Sequence, residues 1–264
     1  MKKKFVFFGF VSVLLLVAVM ASAAVKWEYE LWDGTATITG FANNEYGESA
    51  IIPDELDGYA VTGIRNYSFI NGGTFSSLTI PASVANIVGN PFFGSSIESF
   101  DVDSENPAFS SVDGALFNKK QSKLVAFPSG KGEYAIPEGV TTIGEQAFSC
   151  YGLTSVTIPA SVTDINTDSF LYCDSLNFFD VEAGNPAYST VDGVLFDEQQ
   201  TTLVAYPSAR EGGYTISEGV TSIGDNAFGY GYRLTDVTIP DSVTSFGDWA
   251  FSNCLRLPSV RTNA

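Results

Sequence analysis

Histidine is absent from this 264-residue chain. Its absence excludes Ser-His-Asp and Cys-His nucleophile systems, His-ligated zinc and histidine pH switches. Basic residues are scarce as well, with 13 Lys and Arg against 30 Asp and Glu and a net charge of −17. Nucleic-acid affinity rests on clustered Lys and Arg, so no nucleic acid is expected as a partner. Only 3 cysteines are present, without the CxxC pairs of a zinc or redox motif, and neither a metal nor a cofactor is expected. What the chain does have is apolar. With 45% hydrophobic and 16% charged residues, it is too apolar for disorder and long enough for a sizeable core.

Residues 1–24 carry Lys2, Lys3 and Lys4, an uncharged, almost wholly apolar stretch from Phe5 to Met20, and the small residues Ala21-Ser22-Ala23-Ala24. This is the pattern of a secretory signal peptide. A retained membrane anchor is the competing reading, opposed by the Ala-x-Ala site and the lack of stop-transfer charge. No second hydrophobic span follows, so the mature chain is expected to be secreted, extracellular or cell-surface associated, with no membrane span.

The rest of the chain repeats itself. Ile136-Pro137-Glu138-Gly139-Val140 runs on through Ile143 and Gly144 to Ala147-Phe148, and recurs from Ile158-Pro159, Ile216-Ser217 and Ile239-Pro240. Looser copies start at Ile52-Pro53 and Ile80-Pro81. The step is 22 from Ile136 to Ile158 and 23 from Ile216 to Ile239, 28 between the two looser copies, and twice stretches, to 56 and 58. The stretches match each other: Asn106-Pro107-Ala108-Phe109 through Val112-Asp113-Gly114-Ala115-Leu116-Phe117 parallels Asn185-Pro186-Ala187-Tyr188 through Val191-Asp192-Gly193-Val194-Leu195-Phe196. A larger unit has been duplicated.

Each short repeat reads as a strand, a turn and a return limb. In Leu153-Thr154-Ser155-Val156-Thr157-Ile158 and Leu234-Thr235-Asp236-Val237-Thr238-Ile239, apolar and polar residues alternate with the period of two expected of a strand, and Pro159 or Pro240 ends the ladder. Val140, Ile143, Ala147 and Phe148 are spaced for a short helical turn, too short to be stable alone. A single copy cannot bury its apolar side, so copies must stack into a repeat solenoid. The fold expected is a β-strand ladder with short helical or irregular return limbs and two inserted β-hairpin units. Residues 25–51 form an N-terminal β entry segment and 52–264 the solenoid, with inserts at about 103–134 and 182–214. The repeat stops at Ala264, where a strand leads toward another Ile-Pro, an open coil suited to end-to-end self-association.

The pattern Leu153-x-x-Val156-x-Ile158-Pro159-x-x-Val162-x-x-Ile165 with Phe170 after it resembles the BspA-like (treponemal-type) bacterial leucine-rich repeat. The Asn-Pro, Val-Asp-Gly and Leu-Val-Ala-Phe/Tyr-Pro segments resemble inserts of the same family, and Tyr29 to Val61 resembles its entry segment. The sequence departs from the pattern at Arg65-Asn66-Tyr67-Ser68 and Val88-Gly89-Asn90-Pro91, where Gly-x-x-Ala is usual. An open strand ladder offers no catalytic cleft and suits a non-enzymatic binding module contacting a protein or glycan; the resemblance implies an adhesin-like role toward proteins of a host or neighbouring cell. A passive scaffold or stalk fragment of a larger surface protein, and a secreted carbohydrate-active protein, are the alternatives.

Cys150, Cys173 and Cys254 each lie 3 residues before a strand leucine and so share one column. Parallel stacking points their side chains the same way, and they read as small buried hydrophobes rather than a disulfide. Gly229-Tyr230-Gly231 lacks the strand and helix context of a nucleotide loop. Asp101, Asp103 and Glu105, with Asp180 and Glu182, lack EF-hand spacing and read as a solvated acidic face. What remains is the outward face of the strands. It carries Thr154, Ser155 and Thr157, then Asn177, Phe178 and Asp180, then Asp236 and Thr238. Phe178 stands out, because Phe179 takes the inward position. It is either an aromatic anchor for a partner or a ring covered by the insert hairpin. Trp249, aligned with Gln146 and Asp168, faces a partner or packs under a cap.

Overall fold

The computed structural model describes residues 25–42, 47–70, 75–149 and 151–262. The signal-peptide reading of residues 1–24 and the position of Cys150 lie outside the described residues. The architecture is a solenoid whose coils contribute to two ladders. Among the described residues the front ladder is parallel throughout and consists of three three-stranded sheets: Gly47–Ile51, Phe75–Ile80 and Phe100–Val102; Glu133–Ala135, Ser155–Ile158 and Phe178–Val181; Gly212–Thr215, Leu234–Ile239 and Val260–Thr262. Period-two alternation decides which side faces in. Val156, Ile158, Phe179, Val237 and Ile239 are buried, while Thr154, Phe178 and Asp180 are exposed.

The inserts explain the breaks in the front ladder. Phe109–Val112 and Ala115–Asn118 form an antiparallel hairpin, and Lys123–Ala126 pairs in parallel with Thr142–Ile143, which pairs with Asp164–Ile165. Tyr188–Val191, Val194–Asp197 and Thr202–Ala205 repeat this, followed by Ser222–Ile223 and Ser245–Phe246. The extra strands thus belong to the back ladder. Each hairpin turns on Asp-Gly, with φ of 50° and 79° at Asp113 and Gly114 and 48° and 74° at Asp192 and Gly193. Two successive positive-φ residues suit a two-residue hairpin turn, whose twist matches the flanking strands.

The helical version of the return limb is corrected. Among the described residues there is no α-helix, and none is long and apolar enough to cross a membrane. Val140, Ile143, Ala147 and Phe148 are all buried, but Thr142–Ile143 is a two-residue strand, and Gln146 sits at φ 50°. Asn226 and Trp249, in the same place of later repeats, sit at 55° and 59°. A left-handed residue ends right-handed winding, so the limb turns instead of coiling into a helix.

One ring per coil fills the interior behind this turn. Phe148 stacks on Phe170 at 5.3 Å and 11°, and Phe228 on Phe251 at 4.8 Å and 10°. The turn itself passes across the inserts. Asn90 Nδ2 donates to the Gln146 carbonyl at 2.6 Å, and Asn226 Nδ2 to Asp168 Oδ1 at 2.8 Å, over separations of 56 and 58 residues. The hydroxyls of Tyr172 and Tyr230 also bond each other there.

Two buried asparagines anchor the inserts. Asn106 Nδ2 donates to the carbonyls of Pro81 (2.7 Å) and Val84 (2.8 Å), while its Oδ1 accepts from the amides of Ala108 and Phe109. Asn185 repeats this with Pro159 (2.8 Å), Val162 (3.0 Å), Ala187 and Tyr188.

Burial holds several tyrosines neutral. It raises Tyr134 and Tyr206 above their ordinary value and pushes Tyr214 up to about 12. An acid whose folded pKa is raised supports stability fully below its unfolded pKa and loses that support as pH climbs through the folded one. Unfolding is therefore expected to become steeply base-sensitive between about pH 10 and pH 12, with near-constant stability between about pH 6 and pH 9, where an absent histidine leaves little to titrate. Melting temperature against pH checks this. A maximum inside the lower window contradicts it.

Candidate functional site

Strand pairing collects most of the outward residues singled out in the sequence on the middle front sheet. Ser155 is paired with Glu133 on one side and Phe178 on the other, and Thr157 with Ala135 and Asp180. Neighbouring parallel strands lie about 4.8 Å apart, so Glu133, Ser155 and Phe178 make one row and Ala135, Thr157 and Asp180 the next. Thr154 and Asn177 flank the top of the sheet. Thr154 Oγ1 donates to the Gly132 carbonyl at 2.8 Å and Asn177 Nδ2 to the Ser175 carbonyl at 2.9 Å. Asp236 and Thr238 are on the third sheet, next to Gly213 and Thr215, with Arg261 paired to Thr238. The sequence expectation of one continuous outward face is thus altered. Ser155, Thr157, Phe178 and Asp180 share one sheet, with Thr154 and Asn177 just before its strands, while Asp236 and Thr238 lie on the next.

The insert hairpin sets the boundary. The Phe179 amide donates to the Gly193 carbonyl at 3.0 Å, as Phe100 does to Gly114 at 2.9 Å, so each Asp-Gly turn docks beside the last strand of a front sheet. Arg210 then donates to the Asp192 carbonyl at 2.6 Å, and Lys131 to that of Asp113. Phe178 remains 46% exposed, yet one side of its ring lies on Gly193. A Cβ built on Gly193 falls inside the ring's van der Waals surface, and the same residue has φ 74°. At the equivalent place of the first unit, Gly114 faces Ser99. The aromatic is therefore particular to the second unit, held from one side and open on the other.

Gly193→Ala is expected to cost ~2 kcal/mol, combining the left-handed backbone with displacement of the ring. Combined with Phe178→Ala, the loss is smaller than the sum of the two single losses, because the clash is gone. Denaturant melts of the three variants measure this, and additive losses show that ring and turn are independent.

The face is mildly acidic and only loosely crosslinked. Asp180 is exposed; Asp236 meets Arg261 at 3.3 Å, and Glu211 meets Arg233 at 3.0 Å. Exposed pairs of this kind contribute little and leave the charges free to rearrange. Asp103 Oδ1 accepts the Glu105 amide at 2.8 Å, a local turn contact within the acidic segment. Of the cysteine column, Cys173 is buried with its sulfur 2.7 Å from the Phe148 carbonyl oxygen, and Cys254, half-buried, points its sulfur at the Phe228 carbonyl at 3.1 Å. Burial raises the Cys254 thiol above its ordinary value, disfavouring the thiolate. Trp249 is 76% exposed.

Comparison with known proteins places this geometry in context. The profile described as "BspA type Leucine rich repeat region" matches in 6 copies, over residues 40–177 and 212–264. No curated protein is significantly similar. Among solved structures, the pneumococcal vaccine antigen PcpA aligns over 91% of this chain and 69% of its own, with 21% identity and a TM-score of 0.51. A leucine-rich repeat protein from Eubacterium ventriosum aligns over 92% and 71%, with 19% identity and the same TM-score of 0.51. A leucine-rich cell surface protein from Faecalibacterium prausnitzii aligns over 89% and 74%, with 25% identity and a TM-score of 0.46. At these identities the first two share the fold.

Proposed function

Because the chain belongs to the BspA-type leucine-rich repeat family, we propose that it is an extracellular, non-catalytic binding module, adhesin-like, that docks a protein or glycan of a host or neighbouring cell. The middle front sheet is the contact surface. Phe178 is its anchor, with Asp180, Asn177, Thr154, Ser155 and Thr157 around it, and Asp236 and Thr238 extend the surface onto the next sheet. The observation that carries the reading is the half-exposed Phe178 ring, backed by a glycine turn and surrounded by hydroxyls and a carboxylate. A rigid aromatic presented at low entropic cost amid polar groups is what binding hot spots use. Family membership supports a surface role, and the leader-like residues 1–24 support export. The organisation proposed is a leader at 1–24, an entry segment at 25–51 and a solenoid at 52–264 with the two inserts.

Host matrix proteins and glycans are the panel against which the mature chain is screened by pull-down, followed by titration of the retained species. Phe178→Ala is expected to weaken binding by about thirtyfold, the effect of losing a hot spot near 2 kcal/mol. Asp180→Ala weakens it less. Both keep the melting temperature within about 4 °C of the parent, the shift that ~1 kcal/mol produces in a domain of this size. Unchanged affinity in both variants, or affinity lost only in step with stability, rejects the proposed surface.

A second reading, a structural module associating end to end, draws on the exposure of Phe246, Trp249 and Leu255 in the last described coil. Concentration-dependent sedimentation distinguishes it from docking through the front sheet.

A further inference from the structure

On the back of the solenoid, Asp164–Ile165 is the last strand of one sheet, and the second insert begins the next. The two sheets meet without a shared ladder. The Ile165 amide, turned outward from its own sheet, is taken instead by the Tyr188 hydroxyl at 3.0 Å. Beside this bridge lies an open cavity of about 240 Å³, walled by Ile165, Phe170, Leu171, Val204, Ala205 and Tyr206. The interior changes hands here too. Ile165, Phe170, Val204 and Ala205 pack on one core cluster, while Tyr206 and Ala227 belong to another. The seam is therefore an open slot between two core clusters, roomy enough for a side chain.

Its rim is polar and acidic. Asn166, Thr167, Asp225 and Asn226 are among its polar lining residues, and the lining includes no Lys or Arg. Asp225 is exposed, with Oδ1 accepting the Asp248 amide at 2.7 Å. Asp168 accepts a 2.8 Å bond from the lining residue Asn226, and Asp164, exposed, precedes the lining residue Ile165 in the chain. An apolar slot with ring walls under carboxylates complements an aromatic group next to positive charge.

We propose that this seam binds an aromatic side chain carried between basic residues in an extended segment of a partner protein. The ring enters the slot against Phe170, Val204 and Tyr206; flanking Lys or Arg side chains lie over Asp225 and Asp164. The site is on the opposite ladder from Phe178, so it operates whether or not the front sheet binds anything.

The test titrates the ¹⁵N-labelled chain with Ac-Lys-Trp-Lys-NH₂ and compares Ac-Glu-Trp-Glu-NH₂ and Ac-Lys-Ala-Lys-NH₂. The basic tryptophan peptide is expected to shift the amides of Ile165, Ala205 and Ala227, and each comparison peptide to bind at least about tenfold more weakly. Ala205→Leu fills part of the slot and abolishes the shifts. Asp225→Asn alters an exposed side chain, keeps the fold, and weakens binding about threefold with a shallower salt dependence. Phe178→Ala leaves the titration unchanged, which separates this site from the front surface. Three results overturn the proposal: equal binding of the Lys-Ala-Lys peptide, shifts spread over the acidic surface, or binding undiminished in both Ala205→Leu and Asp225→Asn.

Discussion

Asn185→Ala is expected to lower the unfolding free energy by about 3–5 kcal/mol, although it removes only a carboxamide. The side chain makes four bonds inside the solenoid: two donated to the Pro159 and Val162 carbonyls of the preceding coil, and two accepted from the amides of Ala187 and Tyr188 that open the insert. Truncation strands two buried carbonyls and two part-buried amides, and an orphaned buried group costs more than a bond gains. The Pro159 carbonyl is partly protected, since it also accepts from the Val162 amide at 3.2 Å; the Ala187 and Tyr188 amides lose their acceptor outright. Asn106→Ala should behave alike, because its four partners are equivalent and it is 0% exposed. Asn185→Asp is the sharper probe. It keeps the acceptor but turns lone pairs toward two carbonyls, so its carboxyl is pushed above the ordinary carboxylate range. A raised folded pKa means that the deficit relative to the parent shrinks as pH falls toward about 4 and widens as pH rises. Chemical denaturation across that range, with hydrogen exchange at Tyr188–Val191, measures both effects. A loss below about 1 kcal/mol in both alanine variants shows that these networks are incidental.

The strands and the Phe178 anomaly could be read in the sequence because both depend on a local period of two, which the front strands obey: Val156 and Ile158 turn in, and Phe179 displaces Phe178 outward. Other features depend on partners the sequence does not display. The Asn-Pro of each insert is visible as a repeated word, but its role requires carbonyls 22 to 26 residues earlier to converge on one side chain. The return limb misled for a related reason. Val140, Ile143, Ala147 and Phe148 have helical spacing and are buried as a helix would bury them, yet the conformation of Gln146 decides the path. Spacing reports which residues face the core, not how the backbone reaches them. The division of the front face was equally hidden. An insert that extends either ladder has the same alternation, and only the pairing of Lys123–Ala126 with Thr142–Ile143 assigns it to the back. The seam at Ile165 follows from that assignment, so no local motif announces it.

Phe148→Ala is expected to cost about 3–5 kcal/mol and to change the form of the unfolding transition as well as its midpoint. The ring is 0% exposed, stacked on Phe170 at 5.3 Å, tilted against Phe127 at 5.3 Å and edge-on to Tyr134 at 6.2 Å. Those neighbours come from the first insert, the following front strand and the next coil, so one ring joins three successive layers. In a stacked repeat, stability is a sum of layer terms and interfaces between neighbours, and weakening one interface lets the flanking segments unfold separately. Phe228 makes similar contacts with Tyr206, Tyr214 and Phe251, but its outer partner lies in the last described coil. Phe228→Ala therefore frees a short terminal segment, whereas Phe148→Ala splits the array near its middle. The expected signature is a biphasic denaturation curve for Phe148→Ala, with a reduced slope in each phase because each exposes less surface, and a single, slightly broadened transition for Phe228→Ala. A single transition of parental slope for Phe148→Ala would show that the bonds at the turn, Asn90 to Gln146 and Asn226 to Asp168, hold the array together without the ring stack.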